Sequence, residues 1–203
     1  MSGRKQFEVD AAVDQAMRVF WERGYADTSL DALTSATGLG RGSLYGAFGN
    51  KEALFGTCLD RYTSVYGARW ERALAAHPQD PVGAIEAFFA AVLDRLTDPS
   101  VPAGCLITQS AAQSSTLSAE CGARVRGLIA GQRKRIRAVL AESSGEASAE
   151  SSAGSPSLDE LATFVVAVNQ SLAVLSRAGS PDSELRSVAR LACSTVANAL
   201  TPS

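Results

Sequence analysis

Apolar residues recur at intervals of three and four along nearly the whole chain, the spacing of one face of an α-helix. Val9, Val13, Ala16, Met17 and Phe20 set such a stripe over residues 7–23, and Gly24 closes it. Leu30 and Leu33 share a face, Gly38 interrupts, and Leu44 and Phe48 restart the spacing. Leu54, Cys58, Leu59, Tyr62, Val65, Tyr66 and Trp70 predict one long helix over 51–76, stopped by His77 and Pro78. Ile85, Phe88, Phe89, Val92 and Leu96 predict another over 81–96. A short helix is expected over 104–114, and a long one over 117–140 carrying Val125, Leu128, Ile129, Gln132, Ile136 and Val139. Two more follow at 158–178 and 181–200. No stretch alternates with a period of two, so the predicted fold is all-α with about nine helices.

The helix over 158–178 is apolar around most of its circumference, with Leu161, Phe164, Val165, Val166, Val168, Leu172, Val174 and Leu175. Such a helix must be covered on both sides. A second copy of the chain is the natural cover: the last two helices, joined at Gly179, Ser180 and Pro181, would meet their copies in a four-helix bundle. Val165, Val168, Leu172, Val188, Ala192 and Val196 are the expected homodimer interface. Burial inside the monomer is the other way to cover them. Residues 141–157, rich in Ser, Ala, Gly and Glu, read as a flexible loop.

Residues 28–55 hold the densest information. Two short helices meet at a glycine-containing turn of a few residues, a helix-turn-helix, and a third helix follows at once. The second helix of such a motif enters the DNA major groove. Thr28 and Ser29 precede the first helix, where a hydroxyl can cap free N–H groups or bond a phosphate. Arg41 and Ser43 offer donors to base edges or phosphate, and Gly42 permits close approach. Tyr45 presents a phenol one turn on, and Lys51 stands at the start of the next helix, a site that favours an anion. Arg4 and Lys5 form the basic part of a short N-terminal arm over 1–6, able to reach phosphate or the minor groove.

This stretch resembles the DNA-binding segment of the TetR family of bacterial transcriptional regulators. The matching residues are Thr28, Gly38, Tyr45, Phe48, and Lys51 with Leu54. Thr34 departs from the family's usual alanine, and Gly46 and Ala47 replace a bulky pair after the tyrosine. The resemblance implies a helix-turn-helix domain over 1–53 and a helical ligand-binding and dimerisation domain over 54–203. It implies a homodimer on a palindromic double-stranded operator, in the cytoplasm, acting as a repressor released by a small-molecule effector. No cofactor or metal is expected.

Charge adds a constraint. The net charge is −2, and the first 51 residues hold six basic and six acidic side chains. DNA affinity must then come from the placement of a few cations rather than from bulk charge. Arg124, Arg126, Arg133, Lys134, Arg135 and Arg137 cluster on the 117–140 helix, and a solvated face partly neutralised by acids elsewhere is the expected reading. The start, MSGRKQFEVD, lacks an apolar signal core, and no uninterrupted apolar run approaches ~20 residues, so no membrane partner is expected.

Candidate effector-binding residues are Tyr66, Trp70, Phe88, Phe89, Val92, Cys105, Gln109 and Asn169. Asn169 is the most informative, because an amide within an apolar helix needs a hydrogen-bonding partner. The four cysteines, Cys58, Cys105, Cys121 and Cys193, are widely spaced and read as free thiols. Pro102 and Gly104 shape a tight entry that would set Cys105 in the first turn of a helix, where the dipole favours thiolate. This Gly-Cys-Leu segment resembles one in a TetR-family branch with electrophile-responsive members, so thiol-based sensing through Cys105 is an alternative. A cysteine-nucleophile enzyme is a weaker one, since no motif places a histidine base near Cys105 and the chain has only His77.

Overall fold

The computed structural model describes residues 2–142 and 156–201, with side chains from residue 9 onward. The helices are α1 (Ser2–Arg23), α2 (Leu30–Thr37), α3 (Arg41–Phe48), α4 (Lys51–Tyr62), α5 (Ala68–Ala75), α6 (Pro81–Leu96), α7 (Leu106–Ala112), α8 (Ala119–Ala141), α9 (Leu158–Arg177) and α10 (Asp182–Leu200). A π-helical turn, Thr63–Gly67, joins α4 to α5, so the long helix expected over 51–76 is a nearly continuous rod with one bulge. The described part of the 141–157 stretch is its ends only; the rest of that expected loop lies outside the described residues. The expected N-terminal arm is instead helical backbone, because α1 begins at Ser2; the side chains of Arg4 and Lys5 lie outside the described set.

Two apolar cores alternate along the rod. The first joins Val13, Met17, Phe20 and Trp21 of α1 to Leu33, Leu44, Leu54, Phe55 and Leu59. Phe20 meets Phe55 edge-on at 5.0 Å, and Arg61 grips Asp14 through two nitrogens at 2.7 and 2.8 Å. Each large side chain buried there contributes about 1.5–3 kcal/mol, so three short helices that could not stand alone become a rigid head. The same core runs on to Leu106, Cys121 and Val125, so packing continues past residue 53 into α7 and α8. The second core gathers Ile85, Phe88, Phe89, Ile136, Leu140, Leu161, Val165, Leu172, Leu185 and Val196 from α6, α8, α9 and α10.

That second core corrects the expected dimer surface. Val165, Leu172 and Val196 are fully buried inside the single chain, and Ala192 is 2% exposed. They lie in the core shared by α6, α8, α9 and α10; Val168 and Val188 are half-buried. The apolar residues left outward are Phe164, Val174 and Leu191, at 36, 57 and 69% exposure. By length and composition α9 could cross a membrane, which a count of uninterrupted apolar residues missed. Its Leu161, Ala162, Val165, Val166, Leu172 and Ala173 are core residues of this fold. The cation-rich face of α8 behaves as expected: Arg124 pairs with Asp60, Arg135 with Glu71 at 3.2 Å and Arg137 with Asp159 at 2.9 Å.

Candidate DNA-contact face and effector cavity

Ser29 caps α2, its hydroxyl accepting from the Ala32 N–H at 3.1 Å. Gly38 ends α2 at φ +69°, a left-handed conformation that glycine takes without a Cβ penalty, and its N–H returns to the Thr34 carbonyl. α3 then opens at Gly40 with no side-chain cap, leaving its first N–H groups open. Leu44 is buried and Phe48 half-buried against the head, which turns Arg41, Gly42, Ser43, Tyr45, Gly46 and Ala47 outward. A Cβ at Gly42 or Gly46 would meet nothing within 4 Å, so internal packing does not require either glycine; both leave bare backbone on the outward face. Tyr45 is 41% exposed, and this face is built around a ring that the head itself does not cover.

One expected contact changes role. Thr28 is 1% exposed and its hydroxyl donates to the Gly24 carbonyl at 2.6 Å, so it locks the approach to α2 and cannot reach a phosphate. Arg41 is outward, but it pairs with Asp31 of α2 at 2.6 Å. Lys51 lies half-buried with Nζ 4.4 Å from the centre of the Tyr25 ring. Burial lowers its pKa, with Asp27 opposing the shift.

Where the rod bulges, a cleft opens between it and α6, α7, α8 and α9. It encloses about 570 Å³ of empty space, the solvent at its mouth included. Tyr66, Trp70, Val92, Cys105 and Asn169 line it as expected, together with Tyr62, Thr63, Gly67, Arg95, Ile107, Leu128, Ile129, Gln132 and Gln170. Phe88 and Phe89 do not: both are sealed in the core, stacked edge-on at 5.2 Å. Gln109 lines a separate cleft with Thr108, Val174 and Arg177. The partner of Asn169 is protein, since its amide donates to Gln132 Oε1 at 3.2 Å.

Cys105 sits at the joint of both clefts. It is the residue before α7, in extended backbone at φ −137°, and not in the helix's first turn. Gly104, at φ +80°, makes the bend that delivers it. The Tyr62 hydroxyl donates to its Sγ at 3.2 Å. Burial pushes the thiol pKa up, but the Arg95 charge, the Tyr62 hydroxyl and Thr108 outweigh it, and the net shift is downward. The largest downward cause is the Arg95 guanidinium, and the Thr108 backbone N–H, in the first turn of α7, adds to it. The other three thiols shift upward through burial.

Residues 12–58 match the model of the bacterial regulatory proteins of the tetR family, and residues 81–192 match that of the tetracyclin repressor-like C-terminal domain. The chain belongs to the TetR family. It is 31% identical to the HTH-type transcriptional repressor ComR of Escherichia coli (strain K12), over 91% of this chain and 87% of that protein. Among solved structures it is similar to the TetR-family regulator CifR, a cysteine mutant bound to 26-bp double-strand operator DNA. That likeness is 29% identical with a TM-score of 0.80, covering 91% of this chain and 95% of that one. A regulator from Chloroflexus aurantiacus is 26% identical with a TM-score of 0.81, covering 96% of each chain. This TetR-family protein is accordingly a DNA-binding transcriptional regulator and not an enzyme.

Sequence reasoning passed over several cavity residues of this TetR-family body. Thr63 and Gly67 line the cleft because of the π turn, which no local pattern announced. Arg95 carried a readable signal: it is a cation on the apolar α6, between Val92 and Leu96.

Proposed function

We propose that the protein is a repressor that binds a palindromic operator as a homodimer and lets go when a small molecule occupies the rod cleft. One observation carries the effector part. Tyr62 and Tyr66 line the cleft, and the same two rings pack edge-on against Trp21 of the head, at 4.9 and 5.2 Å. A ligand that shifts either ring therefore bears on α1. Release then follows if the ligand binds better to the arrangement whose two heads mismatch the operator. The repressor reading is supported by the names of ComR and of DhaR from Mycobacterium sp. (strain GP1). The operator reading is supported by the DNA-bound CifR.

The DNA contacts in this reading are Ser29, Arg41, Gly42, Ser43, Tyr45 and Lys51. The division at about residue 53 is functional and not a break in packing, because Leu54 and Phe55 complete the head's core. The dimer surface is the outward stripe of α9 and α10. Phe164, Ala167, Ser171 and Val174 recur at helical spacing there, beside Leu191. A cytoplasmic location follows from the role. Binding to the DNA upstream of the gene, followed by selection from genomic fragments, tests the reading. An enriched inverted repeat is expected, and its absence counts against it.

A second reading, thiol-based sensing, is favoured by the Tyr62 hydroxyl on the Cys105 Sγ. Modification of that sulfur removes the hydrogen bond and crowds a ring that touches Trp21. Release of DNA by an electrophile, lost in Cys105→Ser, is the expected result.

A further inference from the structure

We infer that the cleft selects an organic anion, a small carboxylate with an apolar body, and that Arg95 is the residue that holds its charge. This rests on the reading of the cleft as the effector site. Arg95 is 8% exposed, on a helix whose neighbouring positions are core. Removing a guanidinium from water is costly unless an opposite charge compensates. Among the described residues no carboxylate pairs with Arg95, and no Asp or Glu lines the cleft. What holds it is partial. One nitrogen donates to the Gly104 carbonyl, and the guanidinium carbon lies 5.7 Å from the centre of the Trp21 ring. A guanidinium has five N–H donors. Among the described side chains, the buried nitrogens and oxygens without a partner are Trp21 Nε1 and Gln109 Oε1, and no Arg95 nitrogen is among them. Arg95 lines the cleft, and the bond to Gly104 occupies one of its nitrogens.

The three amide side chains of the cleft already have partners. Asn169 bonds Gln132, and Gln170 bonds Thr108. A neutral polar ligand competes with these pairs for the amides, whereas an anion finds a charged fork. Carboxylate matches that fork bidentately. A cation meets the Arg95 charge and no carboxylate. Beyond the charge, Trp70, Tyr66, Ile129 and Leu128 offer apolar and aromatic surface for the rest of the molecule.

The chain's two tryptophans, Trp21 and Trp70, lie against Arg95 and in the cleft wall, so intrinsic fluorescence reads occupancy. Titrating the full-length protein with benzoate, phenylacetate and 4-methylpentanoate, each beside its primary amide, tests the proposal without a variant. Saturable binding of at least one acid is expected, with its amide about tenfold weaker or more. Arg95→Gln should bring acid and amide to equal affinity, and Arg95→Lys should keep part of the preference. Equal acid and amide binding in the wild type, no saturable signal from any acid, or a preference that survives in Arg95→Gln overturns it. Operator binding measured alongside separates the two readings. Acids that bind through Arg95 without releasing DNA leave the anion site standing and remove the effector role. Amides that release DNA independently of Arg95 do the reverse.

Discussion

Arg177, in the last turn of α9, donates to the carbonyl of Trp21 at 3.0 Å. Its second nitrogen bonds the carbonyl of Glu22. These are terminal carbonyls of α1, which have no partner within their own helix. A cation at a helix C-terminus also meets the favourable end of the dipole. The end of the proposed dimerisation helix thus grips the DNA head at the residue whose ring packs on Tyr62 and Tyr66 of the cleft wall. Arg18 adds a second strap, donating to the Ser100 carbonyl at 2.8 Å.

Arg177→Ala should loosen that grip more than it unfolds the protein. The side chain is exposed, so the expected loss is about 1 kcal/mol, read as a small fall in melting temperature. The larger expected effect is on coupling: operator binding persists while effector-driven release weakens. Release equal to wild type at matched operator affinity would place the coupling elsewhere.

Asp31 pairs at 2.6 Å with Arg41, a proposed DNA contact. Asp31→Asn frees the guanidinium and removes an anion beside the recognition helix. Affinity for all sequences should rise, and the slope of log affinity against log salt should steepen by about one. Arg41→Ala should instead flatten the preference among operator variants. Parallel salt titrations on operator and scrambled duplexes check both.

Lys51→Ala should weaken operator and scrambled DNA alike and reduce the salt slope by about one. Thr28→Val should leave that slope unchanged while lowering head stability by about 1–3 kcal/mol, because it strands the buried Gly24 carbonyl.

The two kinds of valine and leucine on α9 and α10 should separate cleanly. Leu191→Asp places a charge on an outward position and should give a folded monomer by sedimentation. Val196→Asp buries an unpaired charge inside the chain and should cost roughly 3 kcal/mol or more of subunit stability, lost in circular dichroism. A Leu191→Asp protein that stays dimeric moves the interface off this stripe.

Cys105 should alkylate first. Its pKa is shifted down, so at pH 7–8 its thiolate fraction exceeds that of an ordinary cysteine, while Cys58, Cys121 and Cys193 are shifted up. Arg95→Gln removes the largest downward cause, so the pH of half-maximal labelling should move up. Mass spectrometry across a pH series reads both the order and the shift.

The periodicity of Val13, Met17 and Phe20, the spacing of Leu44 and Phe48, and the break at Gly38 determined the head by themselves. Local spacing sets which residues share a helix face, and a head of short helices has few ways to bury those faces. The outward set on α3 followed from the same geometry, since burying Leu44 turns Arg41, Gly42 and Tyr45 out. Tertiary structure decided what periodicity leaves open. α9 is apolar nearly all round, so its sequence could not say that Val165 and Leu172 lie in the core shared by α6, α8, α9 and α10 while Phe164 and Val174 face outward. A hydroxyl's partner is a matter of chain path: Thr28 turned inward to Gly24, a carbonyl four residues back. The π turn at Thr63–Gly67 sets Tyr66 and Gly67 in the cleft wall, and no local spacing announces it. Arg95 and Cys105 are ten residues apart in sequence, and it is the bend at Gly104 that brings the guanidinium and the thiol to one site.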